Sequence, residues 1–458
     1  MKLINILFFI TSSLMFAREE YNYPYKDGIP ANIFKQRREI VNNHFQKNTI
    51  LLLLSADYFS NTSDFYSGSS VSPNLYYLSG IPPQRAVLVL VPSGIKINGE
   101  NISEILFLKE QTQNDIKWNG YKMNIADAGK ILQIQKVMNL SALDSMLKEI
   151  VKDKDTLFFD KLSRSRHFSN DENHTECDIE IINKIKTNYP EMSIKTNIPL
   201  LSEMRRVKDK EEIKLIQKAV DISIEGHKAL INSAKPGVIE YQLQAEMEYQ
   251  FQKNGAERPA YGSIIGSGRN SCFLHYQNNR DTVKDGDVIL FDCGAKYHGY
   301  CADITRTIPA NGTFSIEQKI IYNIVLEAMD SAFAQCKPGN KFTLIHEKAK
   351  ELISEKLLEQ SIITEKEDVD VYFPHGTSHF LGLNVHDSGP GEYLEEGNVL
   401  TVEPGIYIPA GSNYDERWWN IGIRIEDDVL ITKEGFINLS EKLPRTAEAI
   451  EKMMRTNR

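Results

Sequence analysis

The chain has little cysteine. There are five in 458 residues, Cys177, Cys272, Cys293, Cys301 and Cys336, an odd set with no CxxC spacing. That excludes a disulfide framework and a zinc ribbon, and it predicts thiols that are buried and free. Excess positive charge is also lacking. The formal net charge is −9 at pH 7, whereas nucleic acid and anionic membranes both require a basic face, so neither is expected as a partner. No internal repeat or low-complexity segment is present. With 41% hydrophobic and 25% charged residues the composition is that of an ordinary globular chain. Its length exceeds what one hydrophobic core organises, which predicts two domains.

The first residues differ in composition. One lysine precedes the apolar stretch Leu3–Phe16, broken by Asn5 and Thr11-Ser12-Ser13, and Ala17 stands before Arg18-Glu19-Glu20. The stretch is too short for a spanning helix, which needs roughly 20 residues. It fits a signal peptide over residues 1–17, which places the mature chain in the periplasm or outside the cell, with no membrane span. Without that role the chain is cytoplasmic. No cysteine follows the expected cut, so no lipid anchor is expected there.

Periodicity then orders the chain. A helix is expected over Asn32–Lys47, then strands at Thr49–Ser55, Asn74–Leu78, Ala86–Val91, Glu104–Leu108 and Thr156–Asp160, with Tyr58–Pro73 as loop. Helices are expected at Ala142–Lys152 and Cys177–Lys186. The charged group Asp171, Glu172, His174, Glu176 and Cys177 reads as solvated loop. A domain boundary falls near Thr196–Lys208. Four amphipathic helices follow, over Lys210–Ala234, Glu240–Asn254, Ser315–Cys336 and Phe342–Leu358, and the last third is strands and loops.

The chemistry gathers in that second half. Phe291–Ile308 reads as a β-hairpin; a turn centred between Tyr297 and His298 sets Asp292 directly opposite Asp303. Two carboxylates that close repel unless a cation lies between them. Pro374–Pro390 holds His375, His379 and His386, with Gly376 and Gly382 for tight turns. Glu403 ends an apolar strand just before Pro404-Gly405. In the alternating strand Ile421–Ile431, Arg424 and Glu426 share a face, as a carboxylate and the cation that steadies it. Four carboxylates and at least one imidazole suit a pair of divalent ions such as manganese or cobalt. Two such ions activate a bridging water as hydroxide and polarise a carbonyl, which is the chemistry of amide hydrolysis.

The segments LHYQNN, FDCGAKYHGYCADITRT, HGTSHFLGLNVHD, TVEPGIYI and GIRIEDD, in this order, resemble the pita-bread metallopeptidases, and among them Xaa-Pro aminopeptidases, with prolidases next. The match spans about Ser202–Leu439. Residues Asn32–Thr196 resemble more loosely the N-terminal domain of the same family. The resemblance implies an α/β N-terminal creatinase-like domain at residues 18–200, followed by an α+β pita-bread catalytic domain at residues 201–458. It implies that Asp292 binds one ion, that Asp303 and Glu426 bridge both, and that His379 and Glu403 complete the second, with Glu403 also shuttling a proton. His275 and His386 then line the substrate. His375 adjoins the proline ring, Arg424 supports Glu426, and Tyr261 lies near the substrate amine. The cofactor implied is two divalent ions, manganese first and cobalt or zinc as alternatives.

The substrate implied is a peptide with proline in second position, from which the first residue is released by a hydroxide bridging two ions. The alternative is prolidase action on Xaa-Pro dipeptides at the same site. A homo-oligomer is expected. Between His386 and Glu403, however, the chain is shorter than in some relatives and lacks an arginine that in those relatives reaches a neighbouring subunit's substrate. A non-enzymatic relative would have lost ligands, and all five are present here.

Overall fold

The computed structural model describes residues 27–55, 72–82, 84–160, 176–389, 391–412 and 415–456. The expected signal peptide, most of the Tyr58–Pro73 loop and the charged stretch 171–174 lie outside these residues. The first half is built on a mixed six-stranded sheet: β1 (Thr49–Leu54), β2 (Ala86–Ile97), β3 (Glu100–Leu108), β4 (Lys136–Asn139), β5 (Thr156–Phe159) and β6 (Ser193–Lys195), in the order β4-β3-β2-β1-β5-β6. The unbroken apolar run in β1 has a simple cause. Alternate residues serve opposite faces: Leu51 and Leu53 pack with Leu88 and Leu90 in one cluster, while Ile50, Leu52 and Leu54 pack with Val87 and Val89 in another.

The helices expected in this half form at Ala31–His44, Leu143–Val151 and Glu176–Asn188. Asn74–Leu78 is not a strand. It lies in a helix, Pro73–Ser79, whose Ser72 side chain accepts from Leu75 N–H and whose Gly80 ends it at φ 67°. An N-cap serine, proline in the first turn and a left-handed glycine outweigh the strand preference of two tyrosines.

The second half opens on helix Lys210–Ser233, started by a capping box between Asp209 and Glu212. Helix Glu240–Lys253 packs beside it, and helices Ile316–Phe333 and Thr343–Glu359 come later. The strands are β7 (Arg258–Pro259), β8 (Ile264–Ser267), β9 (Val288–Asp292), β10 (Ala295–Tyr297), β11 (Tyr300–Cys301), β12 (Thr305–Pro309), β13 (Val399–Val402), β14 (Gly405–Ile408), β15 (Ile421–Arg424), β16 (Asp427–Thr432) and β17 (Gly435–Asn438). They form small sheets ordered β11-β10-β7, β12-β9-β8, β13-β16-β17 and β14-β15. Arg37 ties the halves together: it pairs with Asp209 at 2.7 Å and Glu212 at 3.0 Å, and lies 3.9 Å over the Tyr77 ring.

Two further expectations need correction. The hairpin turn is one residue further on than expected. His298 and Gly299 both have positive φ, 46° and 85°, in a two-residue loop between the paired Tyr297 and Tyr300. Tight hairpins favour that conformation because its twist matches the strands, and glycine adopts it without strain. Asp292 therefore pairs with Thr305, not Asp303. Secondly, Ile421–Ile431 is two strands in two sheets, β15 and β16, broken at Ile425-Glu426. Among the four cysteines whose side chains are described, all are free; Cys293, Cys301 and Cys336 are buried and Cys272 is half-buried.

His227, on the first long helix, is fully buried, with Nε2 2.9 Å from the Cys293 carbonyl. Burial lowers its pKa from 6.5 to about 4. The unfolded chain thus binds a proton that the folded chain refuses. Stability is complete above pH 6.5 and falls as the pH drops toward 4, by on the order of 3 kcal/mol. Urea denaturation at pH 7 and pH 4.5 is expected to show this loss in the wild type and a smaller one in His227→Gln.

Candidate metal centre

Backbone pairing sets the site. Thr305 of β12 is the central rung: it pairs with Asp292 on one side and with Glu426 on the other, where Glu426 N–H donates to the Thr305 carbonyl at 3.0 Å. Asp303 lies two residues before Thr305, so it is the diagonal neighbour of Asp292 on the same face. Gly294 faces that crossing; a Cβ there would come within 1.8 Å of the Ala302 carbonyl oxygen, so the strands approach more closely than any other residue permits. On the far side β13 pairs with β16 through Val402 and Asp427, and one further step of that register brings Glu403 across from Glu426. The histidine segment then runs along β13: Thr401 N–H donates to the His379 carbonyl at 2.9 Å, and Glu403 N–H to the Thr377 carbonyl at 2.8 Å.

Side chains follow this ladder. One donor atom each from Asp303, His379 and Glu426 lies within 4.8 Å of the others. His379 Nε2 is 3.3 Å from Asp303 Oδ2 and 3.5 Å from Glu403 Oε1. The Tyr261 hydroxyl sits between Asp292 Oδ1, at 2.6 Å, and Asp303 Oδ1. Arg424 does not pair with Glu426 directly. Its Nη2 donates to Asp292 Oδ2 at 2.6 Å and its Nε to Thr305 Oγ1 at 3.2 Å, while Thr305 Oγ1 donates to Glu426 Oε2 at 2.7 Å. The guanidinium thus steadies Glu426 through a hydroxyl. The strand break falls between Arg424 and Glu426, and the two side chains meet at the Thr305 hydroxyl, a go-between that two-residue spacing did not reveal.

Asp292, Asp303 and Glu426 are 9%, 5% and 1% exposed. Burial, then mutual repulsion, pushes the Asp303 and Glu426 carboxyls up, and burial raises Glu403 to about 7. Burial acts to lower His379, but its hydrogen bond to Asp303 and the charges of Glu403 and Asp303 prevail and raise it to about 9. Four carboxyl groups face only one guanidinium and one imidazole, so their full ionisation calls for further positive charge. Their oxygens and one borderline nitrogen match the donors of divalent ions, and the fixed strand ends hold them in place, so the residues fit such ions.

The remaining candidates lie around this group. His386 sets its ring 4.4 Å from that of His379, edge to face. His375 places Nδ1 2.8 Å from the Gly376 carbonyl and Nε2 2.8 Å from the Tyr407 hydroxyl, which accepts from Arg424 at 2.7 Å. Burial and the nearby Arg424 lower His375 to about 3, so it stays neutral. His275 is exposed, and the carbonyl of its neighbour Leu274 lies 3.5 Å from Arg424 Nη2. Sequence reasoning missed Thr305, Tyr407 and Asp428, whose Oδ2 accepts from Asp303 N–H at 3.0 Å. Thr305 was findable two residues beyond Asp303. Tyr407 and Asp428 carried no signal beyond membership of the motifs TVEPGIYI and GIRIEDD.

A buried, carboxylate-rich centre of this kind, built on strand ends, defines the class as a metal-dependent hydrolase. Residues 214–433 match metallopeptidase family M24, and residues 34–158 match the N-terminal domain of aminopeptidase P. The chain is 31% identical over 441 residues to Escherichia coli Xaa-Pro aminopeptidase, covering 92% of this chain and 97% of that one. It is similar to the structure of Pseudomonas aeruginosa aminopeptidase PepP, with TM-score 0.83, 32% identity and coverage of 94% and 99%. It is also similar to zinc-substituted Escherichia coli aminopeptidase P in complex with product, with TM-score 0.83, 29% identity and the same coverage. The chain belongs to the M24 metallopeptidases, with the aminopeptidase P type of N-terminal domain. Its fold is accordingly an α/β creatinase-like domain followed by an α+β pita-bread catalytic domain.

Proposed function

We propose that this enzyme releases the N-terminal residue from peptides with proline in second position. The observation that carries the reading is the convergence of Asp292, Asp303, His379, Glu403 and Glu426 on one ladder, in a chain whose relatives include an Xaa-Pro aminopeptidase. These five would hold two divalent ions, manganese first. When bound, such ions polarise a carbonyl and lower the pKa of a water.

The chain's own groups do the rest. Glu403, raised by burial to about 7, accepts a proton from the attacking water and returns it to the leaving proline nitrogen. His386, against His379, and His275, on its exposed loop, donate to the oxygen that gains charge as the carbonyl is attacked. Neutral His375, with Phe373 edge-on at 5.0 Å between ring centroids, offers an apolar wall to the proline ring. The Tyr261 hydroxyl lies beside the place of the substrate amine. Arg424 fixes Asp292 and, through Thr305, Glu426. An X-Pro amide has no N–H and a fixed ring, so a pocket shaped for that ring selects it.

The proposal includes a domain boundary near residue 200, export directed by residues 1–17 and assembly as a homo-oligomer. Among the described residues no helix is long and apolar enough to cross a membrane. The test is hydrolysis of Ala-Pro-Ala and Ala-Pro by protein stripped of metal and resupplied with manganese. Manganese-dependent release of alanine from the tripeptide, with little from the dipeptide, is expected. Cleavage confined to the dipeptide would replace the reading with prolidase, and no cleavage despite bound metal would leave a non-enzymatic relative.

A further inference from the structure

We propose that Asp387 is a positioning residue for His386, held in place by the N-terminal domain through a relay of hydrogen bonds. The role rests on the Xaa-Pro reading in taking His386 as the group that meets substrate. His386 itself is exposed, but the side chain of Asp387, the next residue, is only 2% exposed. Its carboxylate lies between two buried cations: Oδ1 pairs with Arg205 Nη2, and Oδ2 is 3.5 Å from Lys208 Nζ. The loop makes room for it, since a Cβ on Gly382 would fall 2.2 Å from Asp387 Oδ2. Asp387 N–H donates to the Phe380 carbonyl at 2.8 Å, and the same carbonyl lies 3.2 Å from His379 Nδ1. One oxygen therefore orients the candidate ligand imidazole and pins the residue beside His386.

The relay continues out of the catalytic half. Arg205 Nη1 donates to Asn74 Oδ1 at 2.8 Å, Asn74 Nδ2 to Asp160 Oδ1 at 2.9 Å, and Ser72 Oγ to Asp160 Oδ2 at 2.5 Å. Asn74, Ser72 and Asp160 all belong to the N-terminal half. No step of the proposed chemistry uses Asp387, Arg205 or Lys208. Desolvating three charges contributes little net stability, whereas fixing the geometry of a reacting group has large effects on rate.

The test is a double-mutant cycle on Ala-Pro-Ala hydrolysis with saturating manganese: wild type, Asp387→Asn, His386→Ala and both together. Asp387→Asn is expected to lower kcat by about tenfold to a hundredfold with KM little changed, and this loss is expected to disappear in the His386→Ala background. Asn74→Ala leaves the buried ion pairs in place and keeps the test readable if Asp387→Asn does not fold; it is expected to give a smaller kcat loss with the same dependence on His386. Losses of equal factor with and without His386, or unchanged kcat in both single variants, overturn the role. A wild type that leaves Ala-Pro-Ala intact overturns the Xaa-Pro reading and this role with it, whereas an active wild type with additive losses overturns this role alone.

Discussion

Asp303→Ala is expected to abolish peptide hydrolysis while leaving the chain folded. Three contacts tie Asp303 into the centre. It lies 3.3 Å from His379, touches the Tyr261 hydroxyl, and its backbone N–H is fixed by Asp428. The loss in kcat/KM is expected to exceed about a hundredfold, the upper end of what losing an outer partner of a ligand causes. The effect on stability has the opposite sign. Burial and the charge of Asp292 push the Asp303 carboxyl up. Such a group stabilises the fold fully only below its unfolded pKa and loses that contribution as the pH rises through the folded one. At pH 7 the metal-free variant is therefore expected to melt no lower than the metal-free wild type. Manganese is expected to raise the melting temperature of the wild type and to raise that of the variant less. Retained hydrolysis by the variant would remove Asp303 from the centre.

Arg306→Leu is expected to have the largest effect on stability, a loss of about 3–5 kcal/mol. Arg306 is fully buried against fully buried Asp427, at 2.6 Å. It also donates to the carbonyls of Pro444 at 2.8 Å, Thr305 at 2.9 Å, Glu426 at 2.7 Å and Leu443 at 3.0 Å. Removing the guanidinium leaves the buried Asp427 carboxylate without its cation, held only by Ser440 and Asn438, and takes one donor from each of four carbonyls, of which that of Thr305 keeps Glu426 N–H. It also releases the bend at Glu426, so metal affinity falls with stability. Urea denaturation reads the first effect and manganese titration the second. Asp427→Leu added to Arg306→Leu is expected to recover part of the stability, because a buried pair replaced by apolar groups leaves no uncompensated charge. A loss below about 1 kcal/mol in the single variant would mean that this cation does not clamp the bend.

Much of this was legible in the sequence for physical reasons. The run in β1 and the long helices announce themselves through apolar periodicity, and the five motifs named the side chains proposed for the centre. Three things were not legible. The hairpin centre depended on which two residues took positive φ, and Gly299 decided it, moving Asp303 from opposite Asp292 to its diagonal neighbour. The helix at Pro73–Ser79 depended on capping by Ser72 and Gly80, a local signal weaker than the tyrosines around it. The partner of Arg424 depended on a break at Ile425-Glu426, which no alternation pattern marks. Arg306 and Asp387 act through contacts with segments far along the chain, so neither stood out from its neighbours in sequence.

The most direct test of the central claim, that five side chains form one centre for two ions, is equilibrium binding of manganese to metal-stripped protein near pH 6.5, with proton release followed in parallel. The account predicts two ions per chain. It also predicts protons displaced on binding, because burial holds Glu403 near 7 and Asp303 and Glu426 above their usual range. Fewer ions are expected to bind Asp303→Ala. Saturation at one ion, or the same two in Asp303→Ala, would contradict it.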